Sequence, residues 1–155
     1  MSQRAQQLCE EADRQIAELG QRLSAAGAAG LRRRCSGRDK LGDGTVAGVA
    51  GHTIGNYQRI ARLIATAQDA EDPHNAGHDA AYRASDVELD HLLAQLSDAR
   101  DALAAIGQLG DEQLDTVPPA GTMKFADGER TLEDIFGRLL KHQGHQVDAI
   151  AAALA

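Results

Sequence analysis

Residues 131–150 read TLEDIFGRLLKHQGHQVDAI, and this stretch has the periodicity of an amphipathic helix. Its apolar residues recur every three or four positions, the spacing that places side chains on one face of an α-helix. The helix is predicted to begin at Thr131 and to run to the end of the chain. At about 100° per residue, the apolar stripe centres near Gln143, and a buried amide needs hydrogen-bond partners. The sequence therefore predicts a polar cavity at this level of the helix.

Three further segments show the same spacing and are also predicted to be helices. They cover residues 3–26, 45–68 and 85–106. Gly27 is expected to end the first of them, and Thr45 to cap the second. Ser85 and Glu88 match a capping box for the third. The connections are predicted to be a glycine-rich loop, a polar loop and a long segment with one helical turn, over residues 27–44, 69–80 and 107–130.

Four helices with apolar faces predict an all-α, single-domain four-helix bundle over residues 1–155. The composition agrees, since 43% of the residues are hydrophobic and only 3% are aromatic. Alanine and leucine dominate the apolar residues while β-branched and aromatic residues are scarce, which favours helices over a β-sandwich or barrel.

The charge and hydropathy pattern argues against several classes of partner. The formal net charge is −7, opposite to the balance expected of a nucleic-acid-binding protein. No apolar run approaches the roughly 20 residues of a membrane span, and no apolar signal-peptide segment follows the N-terminus. We therefore expect a cytoplasmic protein with neither a nucleic-acid nor a membrane partner.

Histidines in the second and last predicted helices form a candidate metal site. On a helical wheel, His142 and Gln146 lie roughly 40° apart on one flank of the last stripe, and His145 lies closer to solvent. His52 falls on a flank of the second helix. Bundles gather metal ligands from facing helices, and three protein ligands leave positions open for water or substrate.

Two stretches resemble the DinB-like (YfiT-like) superfamily of metal-binding four-helix bundles. Residues 45–52, TVAGVAGH, match its pattern of Thr, spaced apolar residues and a first metal-ligating His. In the last helix, the family's Thr-Leu start leads about eleven residues later to a His, with a second ligand His four residues further on. Here those places are held by His142 and Gln146. His145 stands at the intervening place, where many relatives also carry a His.

The resemblance implies a divalent ion, Zn²⁺ or Ni²⁺, held by His52 and two ligands of the last helix. The chain departs from the pattern at Gln146, because glutamine is a poor zinc ligand. Three alternatives stay open, in this order: His145 supplies the third nitrogen, Gln146 binds through its carbonyl, or the site has lost its metal.

The superfamily includes thiol-dependent S-transferases and the N-terminal domain of mycothiol-dependent maleylpyruvate isomerase. The resemblance thus implies a metal-dependent transferase that uses a low-molecular-weight thiol, such as mycothiol or bacillithiol, and an electrophile. A bound divalent ion lowers the pKa of a thiol, so a thiolate forms at pH 7. The alternative is a non-catalytic binding or stress-response module with a degenerate metal site. A homodimer through a spare apolar stripe is compatible with both.

Other residues carry secondary hypotheses. Glu88 and His91 have the spacing of a di-iron half-site, although such a site needs a second copy of the motif and two more Glu. Cys9 is expected to pack on the first stripe. A lowered pKa is one hypothesis for Cys35, which stands beside arginines.

Polar residues near the candidate site carry hypotheses of their own. Asn56 is a candidate hydrogen-bond partner for a ligand histidine, and Tyr57 is expected to lie in the core. Arg59 and Arg62 are expected at the surface, with a substrate carboxylate as the alternative partner. Residues 32–34, all arginine, are expected to be solvated, with phosphate or an anionic thiol cofactor as the alternative partner. The loop histidines His74 and His78 are also expected to be solvated, with accessory metal ligation or pH sensitivity as alternatives.

Overall fold

The computed structural model describes residues 2–66 and 88–155, which form an all-α structure. The helices are α1 (Gln3–Gly30), α2 (Val46–Thr66), α3 (Leu89–Leu103), the single turn α4 (Asp111–Leu114) and α5 (Leu132–Leu154). A 3₁₀ turn, Ala104–Gln108, continues α3. The described residues contain no strand, and one isolated bridge joins Arg34 to Thr45. The predicted all-α class is confirmed, as is the helical turn expected at residues 111–114.

The helix ends follow local capping chemistry. The hydroxyl of Thr45 accepts a 3.2 Å hydrogen bond from the backbone N–H of Gly48. In the same way, Thr131 accepts from Asp134 at 3.2 Å. The N-cap predicted at Thr45 is therefore confirmed, as is the predicted start of the last helix at Thr131. Gly27 has a φ of 66°, which breaks the regular path of α1 before one further turn leads to Gly30.

The start of α3 differs from the prediction. Glu88 was assigned to the first turn of this helix, but it is the N-cap and its side chain makes no capping hydrogen bond. Its predicted partner Ser85 lies outside the described residues, as do the polar loop 69–80 and the last two residues predicted for α2. The C-terminal end of α3 also differs from the prediction, because the regular α-helix ends at Leu103 and a 3₁₀ turn follows.

The four long helices pack side by side around a shared core. Helix α1 lies between α3 and α5, and α2 contacts the same two helices. Their buried stripes supply the largest core side chains, which include Leu19, Leu23, Ile54, Leu92 and Ile150. No helix within residues 2–66 or 88–155 has the length and hydropathy needed to cross a membrane.

A buried polar network crosses this core where the sequence pattern indicated only apolar packing. Gln15 is 1% exposed, and its amide nitrogen donates to the backbone carbonyl of Leu140 at 2.8 Å. Its amide oxygen accepts a 2.7 Å hydrogen bond from the hydroxyl of Tyr57. Gly144 leaves room for this amide, because a β-carbon there would lie 3.2 Å from the Gln15 nitrogen. The network ties α1, α2 and α5 together in one fixed register.

The long connection before α5 covers a second, smaller core cluster formed by Leu63, Met123, Ile135 and Phe136. The backbone N–H of Leu132 donates to the carbonyl of Thr116 at 2.8 Å, which closes the connection at its base. Phe125 in this connection has a φ of 69°, a conformation that a bulky side chain rarely adopts. The connection is therefore held in a defined conformation against α2 and α5.

Candidate functional site

A small cavity lies between α2 and α5, next to the connection that precedes α5. Its volume is about 30 Å³, which is enough for a water molecule or one small functional group. Its polar lining consists of Asn56, Arg59, Lys124, His142 and Gln143. Its apolar lining consists of Ile60, Leu63 and Leu139. Polar side chains from two helices and a loop therefore converge on one point.

Gln143 confirms the polar cavity predicted for the centre of the last helix. The residue is 3% exposed, and its amide nitrogen donates to the backbone carbonyl of Thr53 at 2.7 Å. The hydroxyl of Thr53 in turn donates to the carbonyl of Val49 at 2.7 Å. This chain of bonds fixes α5 to α2 at the level of the cavity.

His142 lies at the cavity in an electropositive environment. Partial loss of solvent around the ring lowers its pKa, and the nearby charges of Lys124, His145 and Arg38 lower it further. The ring is therefore neutral at pH 7. Phe125 packs edge-on against it, with the ring centres 5.9 Å apart and an interplanar angle of 82°. The neutral ring thus sits where the surrounding charges favour anions and repel cations.

His52 is connected to the cavity by a hydrogen bond with the side chain of Asn56. Nε2 of His52 lies 3.0 Å from the amide nitrogen of Asn56, which itself lines the cavity. Whichever amide atom faces the ring, this hydrogen bond engages Nε2. The expected contact between the two residues is present, and it places the Asn56 side chain against Nε2 of His52.

Gln146 and His145 are directed to other contacts. The amide oxygen of Gln146 accepts a 2.5 Å hydrogen bond from Nε of Arg38. His145 is exposed, and its ring centre lies 6.5 Å from that of His142. Two imidazoles on one Zn²⁺, with Zn–N bonds of about 2.1 Å, hold their ring centres roughly 5 Å apart. In this arrangement His142 and His145 do not share an ion.

The candidate ligands therefore do not fit a three-ligand metal site as they are arranged. Within the described ranges, no group of three or more His, Cys, Asp or Glu side chains is placed to hold a metal ion. The positive charge of Arg38, next to Gln146, also disfavours a metal ion at this point. The assignment of His52, His142, His145 and Gln146 as metal ligands stays a prediction.

The secondary hypotheses meet different outcomes. The lowered pKa considered for Cys35 is wrong: the thiol is completely buried, and burial raises its pKa despite Arg38 nearby. Cys9 packs beside Gly107 against the core, as expected. Glu88 and His91 are both exposed at the start of α3. His74 and His78 lie outside the described residues.

The arginine cluster at residues 32–34 has structural contacts. Arg33 reaches the backbone carbonyl of Ala153 near the end of α5 at 3.4 Å. Arg34 forms a 2.8 Å ion pair with Asp39 and donates to the carbonyl of Asp43. These contacts fasten the α1–α2 loop, and residues 32–34 are exposed, as expected.

Three residues that contact or surround the candidate site residues carried no sequence signal. Lys124 and Phe125 lie in a connection without periodicity, and Arg38 lies in a loop more than 100 residues from Gln146. Only the loop conformations bring them to α5. A positive φ at a phenylalanine, in particular, follows from packing and not from local propensity.

Comparison with known proteins adds no relative. No protein-family model, curated protein or solved structure matches this chain. The resemblance to the DinB-like superfamily therefore rests on the two sequence motifs and on the order of the helices. Functions carried over from that superfamily are proposals.

Proposed function

We propose that this chain is a small-molecule-binding bundle of the DinB-like type whose former metal centre binds an anionic group. The ligand class is a small molecule with a carboxylate or thiolate. The observation that carries the proposal is the set of charges around His142. The two permanent charges that lower its pKa, Lys124 and Arg38, are both cations. Such a potential attracts an anion and opposes a divalent ion.

The lining of the cavity supports the same ligand chemistry. Arg59 and Lys124 are cations, and His142 is an exposed imidazole whose pKa a bound anion would raise. A thiol bound there has a lowered pKa because nearby positive charge stabilises the thiolate. Low-molecular-weight thiols therefore remain candidate ligands without a metal ion. The Arg38–Gln146 hydrogen bond supports this proposal, because it engages the oxygen through which Gln146 would bind a metal.

The second candidate function is the metal-dependent thiol transferase that the resemblance implies. Zn²⁺ or Ni²⁺ would be held by His52 and His142 with His145 or Gln146, and mycothiol or bacillithiol would be the co-substrate. One observation favours it: Asn56 bonds to His52 in the way that outer partners orient ligand histidines. It requires rearrangement of the His145 ring or release of Gln146 from Arg38.

Metal content separates the two candidates. The measurement is elemental analysis of untagged wild type and of His52→Ala and His142→Ala, before and after titration with Zn²⁺ and Ni²⁺. The first proposal expects metal well below one equivalent per chain, with no specific uptake. About one ion per chain, lost in both variants, would overturn it in favour of the transferase.

Anion binding is tested directly through the pKa of His142. We propose NMR titration of the imidazole with 3-mercaptopropionate, which carries a thiol and a carboxylate, and with the matched neutral compound 3-(methylthio)-1-propanol, which carries neither acidic group. The acid is expected to raise the pKa of His142 and the alcohol to leave it unchanged. Equal responses to both compounds would contradict an anion site.

A homodimer stays a separate proposal from the sequence; among the described residues the one exposed large apolar side chain is Val117, which lies outside the helices. Light scattering during size-exclusion chromatography gives the mass in solution. A monomer at all concentrations would overturn the dimer and leave the ligand proposal intact.

A further inference from the structure

We propose that the chain has a second ligand site, an apolar cavity that takes the body of a neutral small organic molecule. The cavity lies between the end of α2, the turn α4, the connection after α4 and the first turns of α5. Its volume is about 420 Å³. Its apolar walls include Leu63, Leu109, Val117, Met123, Leu132 and Phe136. The proposal is independent of the anion site.

The size of the cavity argues for a ligand. Protein interiors are packed as densely as organic crystals, and their voids are rarely larger than a water molecule. An apolar cavity of about 150 Å³ already binds benzene, and pockets for small ligands begin near 300 Å³. A volume of about 420 Å³ therefore accommodates a molecule of two or three fused or linked rings.

The walls select a neutral and mostly apolar occupant. No described residue that lines the cavity is charged. Leu63, Met123 and Phe136 form a buried floor, with exposed fractions of 4%, 8% and 0%. An ionised group placed against these side chains would lose its hydration without gaining a partner. The ligand body is therefore an aromatic or branched aliphatic group.

The polar side chains of this cavity are already engaged within the protein. The hydroxyl of Thr122 donates to the carbonyl of Pro119 at 2.6 Å, and that of Thr116 donates to the carbonyl of Glu112 at 3.1 Å. The amide oxygen of Gln113 accepts from the N–H of Gly110 at 2.8 Å. The exposed amide of Gln113 keeps its nitrogen as a donor. A single acceptor on the ligand would therefore match the lining.

The wall formed by the connection is stiff, which explains why the cavity does not collapse. Pro118 and Pro119 fix two successive φ angles. The hydrogen bond from Leu132 N–H to the Thr116 carbonyl anchors the same segment to the start of α5 at 2.8 Å. Val117 lies between these anchors, with its side chain 43% exposed. An accessible apolar wall on a rigid frame is the usual form of a preformed ligand pocket.

The test uses the neutral fluorescent probe N-phenyl-1-naphthylamine with the full chain. Wild type is expected to bind it saturably, with one molecule per chain. Val117→Trp places an indole in the cavity, and we expect about tenfold weaker binding. Ala120→Trp is the matched control, because this exposed residue lies in the same connection and does not line the cavity.

Two further measurements show whether the new side chain occupies the cavity. The chain contains no tryptophan, so the emission of Val117→Trp reports on that indole alone, and a blue shift is expected if it occupies the cavity. Thr116→Trp, at an exposed lining residue, is expected to weaken probe binding as well.

The result also separates this site from the proposed function. Lys124→Gln and His142→Ala are expected to leave probe binding unchanged. Absence of saturable binding by wild type, or equal binding by Val117→Trp and Ala120→Trp, would overturn the apolar site whatever happens at His142.

Discussion

Nε of Arg38 donates a 2.5 Å hydrogen bond to the side-chain oxygen of Gln146, which joins the α1–α2 loop to the middle of α5. Gln146 stands where the DinB-like pattern has its second ligand histidine. The neutral amide of Gln146 accepts a hydrogen bond from the Arg38 guanidinium and adds no charge. A metal-ligating histidine at this position would instead place a metal ion next to a permanent cation. Arg38 and Gln146 are therefore best understood as a pair.

This pairing predicts how a metal site responds to mutation. Gln146→His alone is expected to bind Zn²⁺ weakly, because Arg38 still faces the new imidazole. Adding Arg38→Met is expected to strengthen binding by about tenfold. Competition with a chromophoric zinc chelator measures both affinities. Arg34→Met in the Gln146→His background is the control, since Arg34 pairs with Asp39 instead. Equal affinities with and without Arg38 would refute the pairing argument.

Gly144 predicts a destabilising effect of a usually stabilising substitution. Gly144→Ala places a β-carbon 3.2 Å from the Gln15 amide nitrogen. That amide is held by Leu140 and Tyr57 and has little freedom to move. Overpacking of about 1–3 kcal/mol is expected to outweigh the gain of about 1 kcal/mol in helix propensity. Urea denaturation measures the net change in the free energy of unfolding.

Gly137→Ala is the matched control for this experiment. Gly137 lies in the same helix, and a β-carbon there would meet no atom within 4 Å. This variant is expected to gain up to about 1 kcal/mol. If both variants stabilise the protein equally, Gln15 yields easily and the buried network is not a rigid element.

The helix pattern and the polar network mark where sequence reasoning succeeded and where it stopped. The helix starts were predictable at Thr45 and Thr131, because an N-cap hydrogen bond joins residues only three positions apart. Gln143 was predictable as a buried amide from its place on the wheel. Gln15 also lies within its helical face, but its partners are 42 and 125 residues away, which no local pattern contains.

The candidate site was only partly predictable for the same reason. The motifs located His52 and His142 on two helices, and Asn56, which bonds to His52, lines the same cavity as His142. The direction of the Gln146 side chain depends on Arg38, and the charge at the cavity depends on Lys124. Both cations come from loops whose conformation follows from tertiary packing.

Tyr57 predicts a pH-dependent part of the stability. Its hydroxyl is buried and donates to Gln15, so Tyr57→Phe leaves a buried acceptor unpaired at a cost of about 1–2 kcal/mol. Burial raises the pKa of Tyr57 well above its usual value. The unfolded chain ionises near pH 10 while the folded chain does not, so this stabilisation is present below pH 10 and is lost as the pH rises further. Urea denaturation at pH 8 and pH 11 is expected to show a smaller difference between wild type and Tyr57→Phe at pH 11. An unchanged difference would contradict the buried phenol.

Lys124 predicts a shift in the titration of His142. Its charge lowers the pKa of that imidazole, so Lys124→Gln is expected to raise it. Lys141→Gln is the control, because Lys141 precedes His142 in sequence but does not line the cavity. NMR titration of the ring gives both values. A larger effect from Lys141 would mean that the positive potential does not originate at the cavity.

His142 itself contributes to acid sensitivity with a defined sign. Its folded pKa lies below the unfolded value, so the unfolded chain binds a proton first as the pH falls. The contribution is present above the unfolded pKa near 6.5 and is lost as the pH falls through the folded pKa. His142→Gln is therefore expected to flatten the loss of stability between pH 7 and pH 5. An equal slope in urea titrations of both proteins would contradict this assignment.

Cys35 predicts a thiol that resists modification in the folded protein. The side chain is completely buried and its pKa is raised by burial, so both access and thiolate formation are suppressed. Cys9→Ser leaves Cys35 as the remaining thiol, and this variant is expected to react with DTNB only at the rate of unfolding. Cys35→Ser is the counterpart that leaves the partly exposed Cys9. Adding urea should accelerate the first variant far more than the second. Rapid labelling of Cys9→Ser under native conditions would show that the α1–α2 loop opens, and with it the Arg38 contact to Gln146.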